Sequence, residues 1–490
     1  MLRMPSPRQD CGGRSSPHTA WVGFDLCLWI PILAILSSAS CAGSPSPTEV
    51  KQRLSRLGKT SEPPARKPET NTQIRVYLDG SESMAGFLRS GTCCGPSAKY
   101  EIGDTSYSAS IVALRVFLSS VGGDVRYFRF GQTPPSQQDA RAAAFSIDFY
   151  RETDTRLGNL LASFVELAEQ AENQGGSGAP PILPSAMIIV TDGIQSSPAE
   201  GDFLQTIEQT ARLVNKGLSF AVLAARSEFH GRAFSETLRA SGRAHSLGWY
   251  DSTAQEGGDR PFYFLVFSSK PDFAESLYRS IGGALGPNSM KALDLAQSPL
   301  QHMAMSIEVP RENSKRERNP LVLFKKSDLE DVAVTHWKAT RAPGAPGILR
   351  LNLKFAPGPT AKDLKFNLND IRIEVVGIDE HGSTPRTLPK LAIIKSELTQ
   401  STDSSVSATF DLSFVPTSTA EWSYFRISLF PGENFFGLPD WATKWSTERD
   451  DALSLCAKSL RLKELISTAV GNASTFRSQP LAVLYLAVKE

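Results

Sequence analysis

The chain has 490 residues, of which 41% are hydrophobic and 21% are charged, and its formal net charge is +1. This composition is ordinary for a folded protein, and the length leaves room for two or three domains. Proteins that bind nucleic acid or anionic membranes through charge are strongly basic, whereas this chain is close to neutral. No nucleic-acid partner is therefore expected.

Residues 1–40 are predicted to be an export signal. Arg3, Arg8 and Arg14 precede an apolar run at 26–36, which has the length of a signal segment and is too short to span a bilayer. Small residues follow and lead to Cys41.

The end of this segment resembles the bacterial lipobox, in which a cysteine follows small residues after an apolar run. The resemblance implies that Cys41 carries lipid, with Ala42 beside it in the pattern for outer-membrane sorting. The protein is then anchored in the cell envelope, at the outer membrane. Cleavage near Ala39, which would give a periplasmic or secreted protein, and an uncleaved anchor remain open.

Residues 41–72 are rich in Pro, Ser and charge and lack apolar periodicity, which predicts a flexible tether. The cysteines beyond Cys41 are Cys93, Cys94 and Cys456. They allow at most one disulfide, and the sequence does not choose the pairing.

From residue 73 to about 290, apolar runs alternate with helical periodicity. Strands are predicted at 74–78, 125–130, 144–150, 186–190, 218–223 and 262–267, and helices at 106–121, 156–170, 203–214 and 271–281. This alternation is typical of an α/β fold with a doubly wound, mostly parallel sheet.

Beyond residue 300 the apolar residues alternate with polar ones at period two. The runs at 349–355, 406–414 and 425–429 predict a β-sandwich-like domain over 300–435. Residues 436–490 are expected to form a helical tail and a final strand, near 481–488, that pack on the body. Thr447 and Asp450 are spaced for a capping box at the start of the tail helix. A helix remains the alternative for 481–488.

Two predicted strands end in an acid followed by glycine, at Asp79-Gly80 and at Asp192-Gly193. Ser81 and Ser83 follow the first acid, and a third oxygen-rich loop, which contains Thr153, precedes a predicted helix. Since ligands bind beyond the carboxyl ends of the strands in such sheets, these three segments are expected to meet at one edge. Carboxylate and hydroxyl oxygens suit Mg²⁺, Mn²⁺ or Ca²⁺.

The segments D-G-S-E-S-M at 79–84, T-D-T at 153–155 and V-T-D-G at 190–193 resemble the metal-ion-dependent adhesion site of von Willebrand factor type A domains. The resemblance covers roughly residues 73–285. It implies that Mg²⁺, or Mn²⁺ or Ca²⁺, is held by Asp79, Ser81, Ser83, Thr153 and Asp192, and that a protein partner supplies an acidic residue to the ion. The chain departs from the family by longer connections at 88–104 and 226–260, which could shade the metal face or join the partner surface.

The resemblance and the export signal together predict a membrane-anchored adhesion protein and not an enzyme, because no general base or nucleophile neighbours the five ligands in the sequence. Two alternatives remain open. One is a metal-assisted hydrolase, since oxygen-ligated Mg²⁺ supports such chemistry. The other is a structural lipoprotein whose β domain is the binding part.

Overall fold

The protein is described by a computed structural model, which covers residues 72–90, 101–131, 134–152, 155–173, 184–193, 200–243, 245–254, 258–270, 272–286, 288–295, 304–308, 347–355, 359–360, 363–367, 370–378, 391–400, 406–414, 422–432, 435–472, 480 and 482–489. These residues belong to one compact unit, Pro45–Glu490. The predicted export signal at 1–40, Cys41 and all of the tether but Thr72 lie outside the described residues.

A central sheet of seven strands organises the first part of the chain. Its strands are β1 (Gln73–Asp79), β4 (Asp124–Phe130), β5 (Ser136–Gln137), β6 (Ala186–Thr191), β7 (Ser219–Ser227), β10 (Arg260–Ser268) and β11 (Met290–Asp294). Their order is β11-β7-β10-β6-β1-β4-β5. The strand β1 pairs in parallel with β4 and β6, whereas β10 is antiparallel to both β6 and β7. Four of the seven strands, β1, β4, β6 and β7, therefore run in one direction.

The chain is a mixed α/β protein with a large, mostly parallel central sheet flanked by helices, as predicted. The three parallel neighbours β4-β1-β6 have the order found at the centre of a doubly wound sheet, whereas β5 is a short edge strand antiparallel to β4. The position of β10 departs from this plan. The connection between β7 and β10 stays at one edge of the sheet instead of crossing over as a helix, so β10 starts where β7 ends and runs back antiparallel.

Both faces of the sheet are buried, which explains the unbroken apolar runs of its central strands. Every residue of β6 and of β10 is buried. In β10, Leu265 belongs to the apolar core on one face and Phe264 to the core on the other. The alternation of side chains along a strand thus supplies both cores at once.

Helices cover both faces. One face carries α1 (Ser106–Val121), α2 (Ala140–Phe145) and α6 (Phe273–Leu285), and the other carries α3 (Leu157–Asn173) and α4 (Glu200–Asn215). The four longer helices match the predicted ones to within a few residues. Among the described helices, none has the length and apolar character needed to cross a bilayer.

The strand predicted at 144–150 is wrong. Its first residues end α2, and a 3-10 helix, Ile147–Phe149, follows. The cause is the alanine-rich run of α2, which favours helix, together with Asp139, whose side chain caps α2 by accepting from the Arg141 amide at 2.9 Å.

The long connection 226–260 is ordered and packed. It forms a hairpin of β8 (His230–Phe234) and β9 (Ser246–Asp251), with a short helix α5 (Glu236–Ala240) between the two strands. Phe229, His230 and Tyr250 have no exposed surface. The hairpin packs on the 3-10 helix Glu82–Leu88, which contains the predicted ligand Ser83. Beside it lies a small pair of strands, β2 (Arg89–Ser90) and β3 (Glu101–Ile102).

The C-terminal part contains strands where alternation predicted them. One antiparallel sheet has the order β12 (Ala304–Glu308), β13 (Gly347–Phe355), β17 (Val406–Phe414), β16 (Leu391–Gln400). A second has the order β15 (Ile371–Ile378), β18 (Trp422–Pro431), β22 (Ala482–Lys489), and a short pair joins β14 (Lys365–Phe366) to β19 (Phe436–Gly437). The final strand, β22, thus pairs with β18.

The tail, residues 436–490, packs against the α/β part through apolar and polar contacts. It contains α7 (Asp440–Trp445), β20 (Ser446–Thr447), a 3-10 helix (Leu453–Leu455), β21 (Ser459–Leu460) and α8 (Leu462–Asn472). Trp441 and Ile466 share one apolar core with Leu161 of α3 and Leu213 of α4. Cys456 is buried as a free thiol, and Cys93 and Cys94 lie outside the described residues.

The predicted capping box of Thr447 and Asp450 is wrong, because Asp450 caps a different helix. Its carboxylate accepts from the Ser235 hydroxyl and the Glu236 amide, each at 2.9 Å, and from the Thr237 amide at 3.0 Å. These groups begin α5 in the hairpin, so the negative charge meets the free amides of a helix start.

The contact between the hairpin and the 3-10 helix depends on glycine. A Cβ on Gly86 would lie 2.4 Å from the buried Phe229 ring, and one on Gly231 would lie 2.7 Å from the Gly86 Cα. A ring enclosed on all sides cannot move aside as a flexible side chain would.

Gly86→Ala should therefore lower the free energy of unfolding by about 1–3 kcal/mol through overpacking. The matched control is Gly283→Ala in α6, where an added Cβ meets no atom within 4 Å. It should raise the free energy of unfolding by up to about 1 kcal/mol, because alanine favours helix over glycine. Urea unfolding measures both, and equal effects would contradict the described packing.

Candidate metal centre

The two aspartates predicted as ligands lie at one edge of the central sheet. Asp79 is the last residue of β1, and Asp192 directly follows β6. Because β1 and β6 pair in parallel, their carboxyl ends lie side by side. Both side chains are buried, with 0% and 1% of their surface exposed.

The carboxylate of Asp79 is held by three donors. The Ser81 amide and the Thr155 hydroxyl donate to Oδ1 at 2.9 and 3.0 Å, and the Thr191 hydroxyl donates to Oδ2 at 2.8 Å. Thr155 and Thr191 belong to the segments that carry the resemblance, although the predicted ligands do not include them. Their position beside the predicted ligands was the available signal. They fix the orientation of Asp79.

Ser81 directly precedes the 3-10 helix Glu82–Leu88 and Ser83 belongs to it, and their hydroxyls are paired. The two Oγ atoms are 2.9 Å apart, and both residues are buried. This stretch of the chain is tied to the segment of Glu152, since the Glu82 amide donates to the Glu152 carbonyl at 2.9 Å and the Glu152 amide donates to the Gly80 carbonyl at 3.0 Å. The backbone therefore brings the second predicted segment to the first.

Four of the five predicted ligands, Asp79, Ser81, Ser83 and Asp192, are thus placed at one edge of the sheet. Thr153 lies outside the described residues, although its neighbour Glu152 pairs with Ser81 in a parallel bridge. The role of Thr153 as a ligand stays a prediction.

The environment of Asp79 disfavours its charge. Burial raises the pKa of the Asp79 carboxyl, and the neighbouring Asp192 carboxylate raises it further, to about 7, although hydrogen bonds from Ser81 and Thr191 act in the opposite direction. A bound cation would stabilise two buried carboxylates that repel each other more than it would stabilise either carboxylate alone.

The donor set fits a hard cation. It consists of carboxylate and hydroxyl oxygens, which Mg²⁺, Mn²⁺ and Ca²⁺ prefer. Within the described ranges, no group of three or more His, Cys, Asp or Glu side chains is arranged to hold a metal ion. The candidate centre therefore depends on two acids supplemented by hydroxyls.

Arg260, the first residue of β10, is the site residue that the sequence did not reveal. Its guanidinium is 3% exposed, and Nη2 lies 3.4 Å from Asp192 Oδ2. The two residues are 68 positions apart in the chain, so no local motif joins them. The available signal was a single arginine at the start of a strand that is otherwise almost entirely apolar.

The tail contacts the site from the other side. The Ser459 hydroxyl donates to the Asp192 carbonyl at 3.3 Å and lies 2.7 Å from the Tyr263 hydroxyl. The loop that carries Asp192 is therefore held by β10 and by β21 together.

A scan against protein-family models found no match, and searches of curated proteins and of solved structures found none either. The interpretation of the site therefore depends on the residues and contacts described above.

The raised pKa of Asp79 predicts how the stability of the metal-free protein changes with pH. Between its ordinary value of 3.8 and about 7, the folded state keeps a proton that the unfolded state has released. The free energy of unfolding should therefore fall over this range as pH rises.

Asp79→Asn mimics the protonated carboxyl and should remove that loss, so its stability relative to the natural protein should increase with pH over this range. Urea unfolding at several pH values in the presence of a chelator measures the difference. A difference that does not change with pH would contradict the assigned environment of Asp79.

Proposed function

We propose that the chain is a cation-dependent protein-binding module of the von Willebrand factor type A kind, in which Asp79, Ser81, Ser83, Thr153 and Asp192 hold a divalent cation. One observation carries the proposal: two buried carboxylates lie at the carboxyl edge of neighbouring parallel strands, and the paired hydroxyls of Ser81 and Ser83 follow the first of these strands directly. Mg²⁺ is the favoured ion, with Mn²⁺ and Ca²⁺ as the alternatives.

The ligand count supports a role in binding a partner. Mg²⁺ takes about six ligands at about 2.0–2.1 Å and seldom finds all of them in one protein. Five protein ligands leave a position for one more oxygen. A carboxylate from a protein partner has the charge and geometry to fill it.

The same contacts give less support to a metal-assisted hydrolase. The Thr155 and Thr191 hydroxyls donate to Asp79, and the Glu152 carboxylate lies 3.3 Å from the Arg129 guanidinium. A hydrolase would need a general base with a lone pair directed at an attacking water. These two hydroxyls and this carboxylate are instead directed at Asp79 and at Arg129.

We also propose a domain organisation. Residues 73–290 form the von Willebrand factor type A domain, 300–435 a β-sandwich-like domain, and 436–490 a tail that packs on both. The parallel order β4-β1-β6, the helices on both faces and the two antiparallel sheets support this division.

Divalent cation should stabilise the protein through Asp79. At a hundredfold excess of Mg²⁺ over its dissociation constant, the gain is about 2.7 kcal/mol, seen as a rise in Tm. Asp79→Ala should abolish the rise, because the ion loses a charged ligand. The readout is the change in Tm between Mg²⁺ and chelator within each variant, so that differences in basal stability cancel.

Asp124→Ala is the matched control, since Asp124 is the first residue of β4, pairs with Gln73 at the end of β1 opposite to Asp79, and has a side chain that is 39% exposed. It should keep the full Mg²⁺-dependent rise in Tm. If the natural protein melts at one temperature in Mg²⁺, in Mn²⁺ and in chelator, the proposed function fails.

We further propose that the protein is exported and held in the cell envelope, at the outer membrane, by lipid on Cys41. Cys41→Ala should move the protein from the membrane fraction to the soluble fraction, because the acyl chains supply the anchor. Cys27→Ala, within the export signal, should leave it in the membrane fraction. Immunoblots of fractionated cells measure this, and membrane association that persists in Cys41→Ala would contradict a lipid anchor at that residue.

A further inference from the structure

Arg260 brings a buried positive charge to the candidate metal centre. The guanidinium lies 3.4 Å from the Asp192 carboxylate, and its carbon lies 4.3 Å from the centre of the Phe229 ring and 5.7 Å from that of Phe87. The Arg260 side chain is thus enclosed by the hairpin and by the 3-10 helix that contains Ser83.

This charge is only partly compensated. Within the part of the chain that the structure describes, Arg260 Nε and Nη1 are buried and have no hydrogen-bond partner. Contact with aromatic faces is favourable but does not replace an acceptor. Burying a charge in this way is costly, and an apolar residue at this position would avoid the cost.

In the described part of the chain, the charges at the centre comprise two ion pairs and one group of three. Glu82 is paired with Arg232 at 3.6 Å, and Glu152 with Arg129 at 3.3 Å, so these pairs contribute little net charge. Asp79, Asp192 and Arg260 together give a net charge of −1 when both acids are ionised. A divalent cation changes this to +1. Without Arg260, the loaded centre would be neutral.

We propose that Arg260 is a specificity-determining residue of the centre: its fixed charge makes the metal-loaded site cationic, and so selects an acidic ligand. The inference rests on the proposed function. Because Arg260 repels the ion as well, it lowers the affinity for metal while it raises the affinity of the loaded site for a carboxylate.

The test compares Arg260→Met, which keeps the bulk and removes the charge, with Arg260→Lys, which keeps the charge. Calorimetry gives the Mn²⁺ dissociation constant, and water-proton relaxation of the Mn²⁺-loaded protein gives the affinity for acetate, which displaces bound water. Arg260→Met should bind Mn²⁺ at least about tenfold more tightly and acetate about tenfold more weakly, because one unit of positive charge has been removed nearby. Arg260→Lys should resemble the natural protein in both.

Arg226→Met is the matched control. Arg226 lies at the same sheet edge, paired across the strands with Pro261, but its guanidinium donates to the carbonyls of Asp259 and Ala457. Its loss should change the Mn²⁺ dissociation constant by less than about threefold, since the guanidinium is directed at these carbonyls and at the Trp445 ring, 4.8 Å away, and not at a proposed ligand. Circular dichroism establishes the folding of each variant. If Arg260→Met does not fold, Arg260→Gln, which keeps a donor for Asp192, takes its place.

The outcomes separate the two proposals. No Mn²⁺ binding by the natural protein overturns the proposed function. The inference is overturned if Arg260→Met binds Mn²⁺ no more tightly than the natural protein does and binds acetate with the same affinity. The proposed metal centre would still hold in that case. This result would mean that Arg260 only holds Asp192 in place.

Discussion

Two carboxylates, those of Asp79 and Asp192, are buried side by side, and the surrounding structure is arranged to compensate their charge. Burial and mutual repulsion both raise the pKa of Asp79. Hydroxyl and amide donors surround one acid, and Arg260 is paired with the other. One guanidinium cannot balance two carboxylates, so the pair retains a demand for positive charge. In our proposal, a divalent cation meets that demand and a partner's carboxylate completes its ligands.

Two segments outside the central strands support this arrangement. The hairpin places Phe229 against Arg260, and the tail places Ser459 against the carbonyl of Asp192. Asp450 joins the two segments, because this residue of the tail caps the helix within the hairpin. The site therefore depends on residues far apart in the chain, held together by the apolar cores on both sheet faces and by buried polar contacts.

The sequence predicted what local patterns determine. Periodicity located α1, α3, α4 and α6, and an acid with glycine after an apolar run located Asp79 and Asp192. Long-range packing determines what the sequence did not predict. The antiparallel placement of β10 depends on where the preceding hairpin folds, and Arg260 and Asp450 act on partners 68 and more than 200 residues away. The roles of Thr153 and Cys41 stay predictions.

Anomalous diffraction from crystals soaked in Mn²⁺ tests the central claim most directly, because it locates the ion without assuming its ligands. The account predicts a peak within about 2.5 Å of the hydroxyl oxygens of Ser81 and Ser83, with the carboxylates of Asp79 and Asp192 around it. The absence of a peak there at saturating Mn²⁺ would contradict the proposed metal centre.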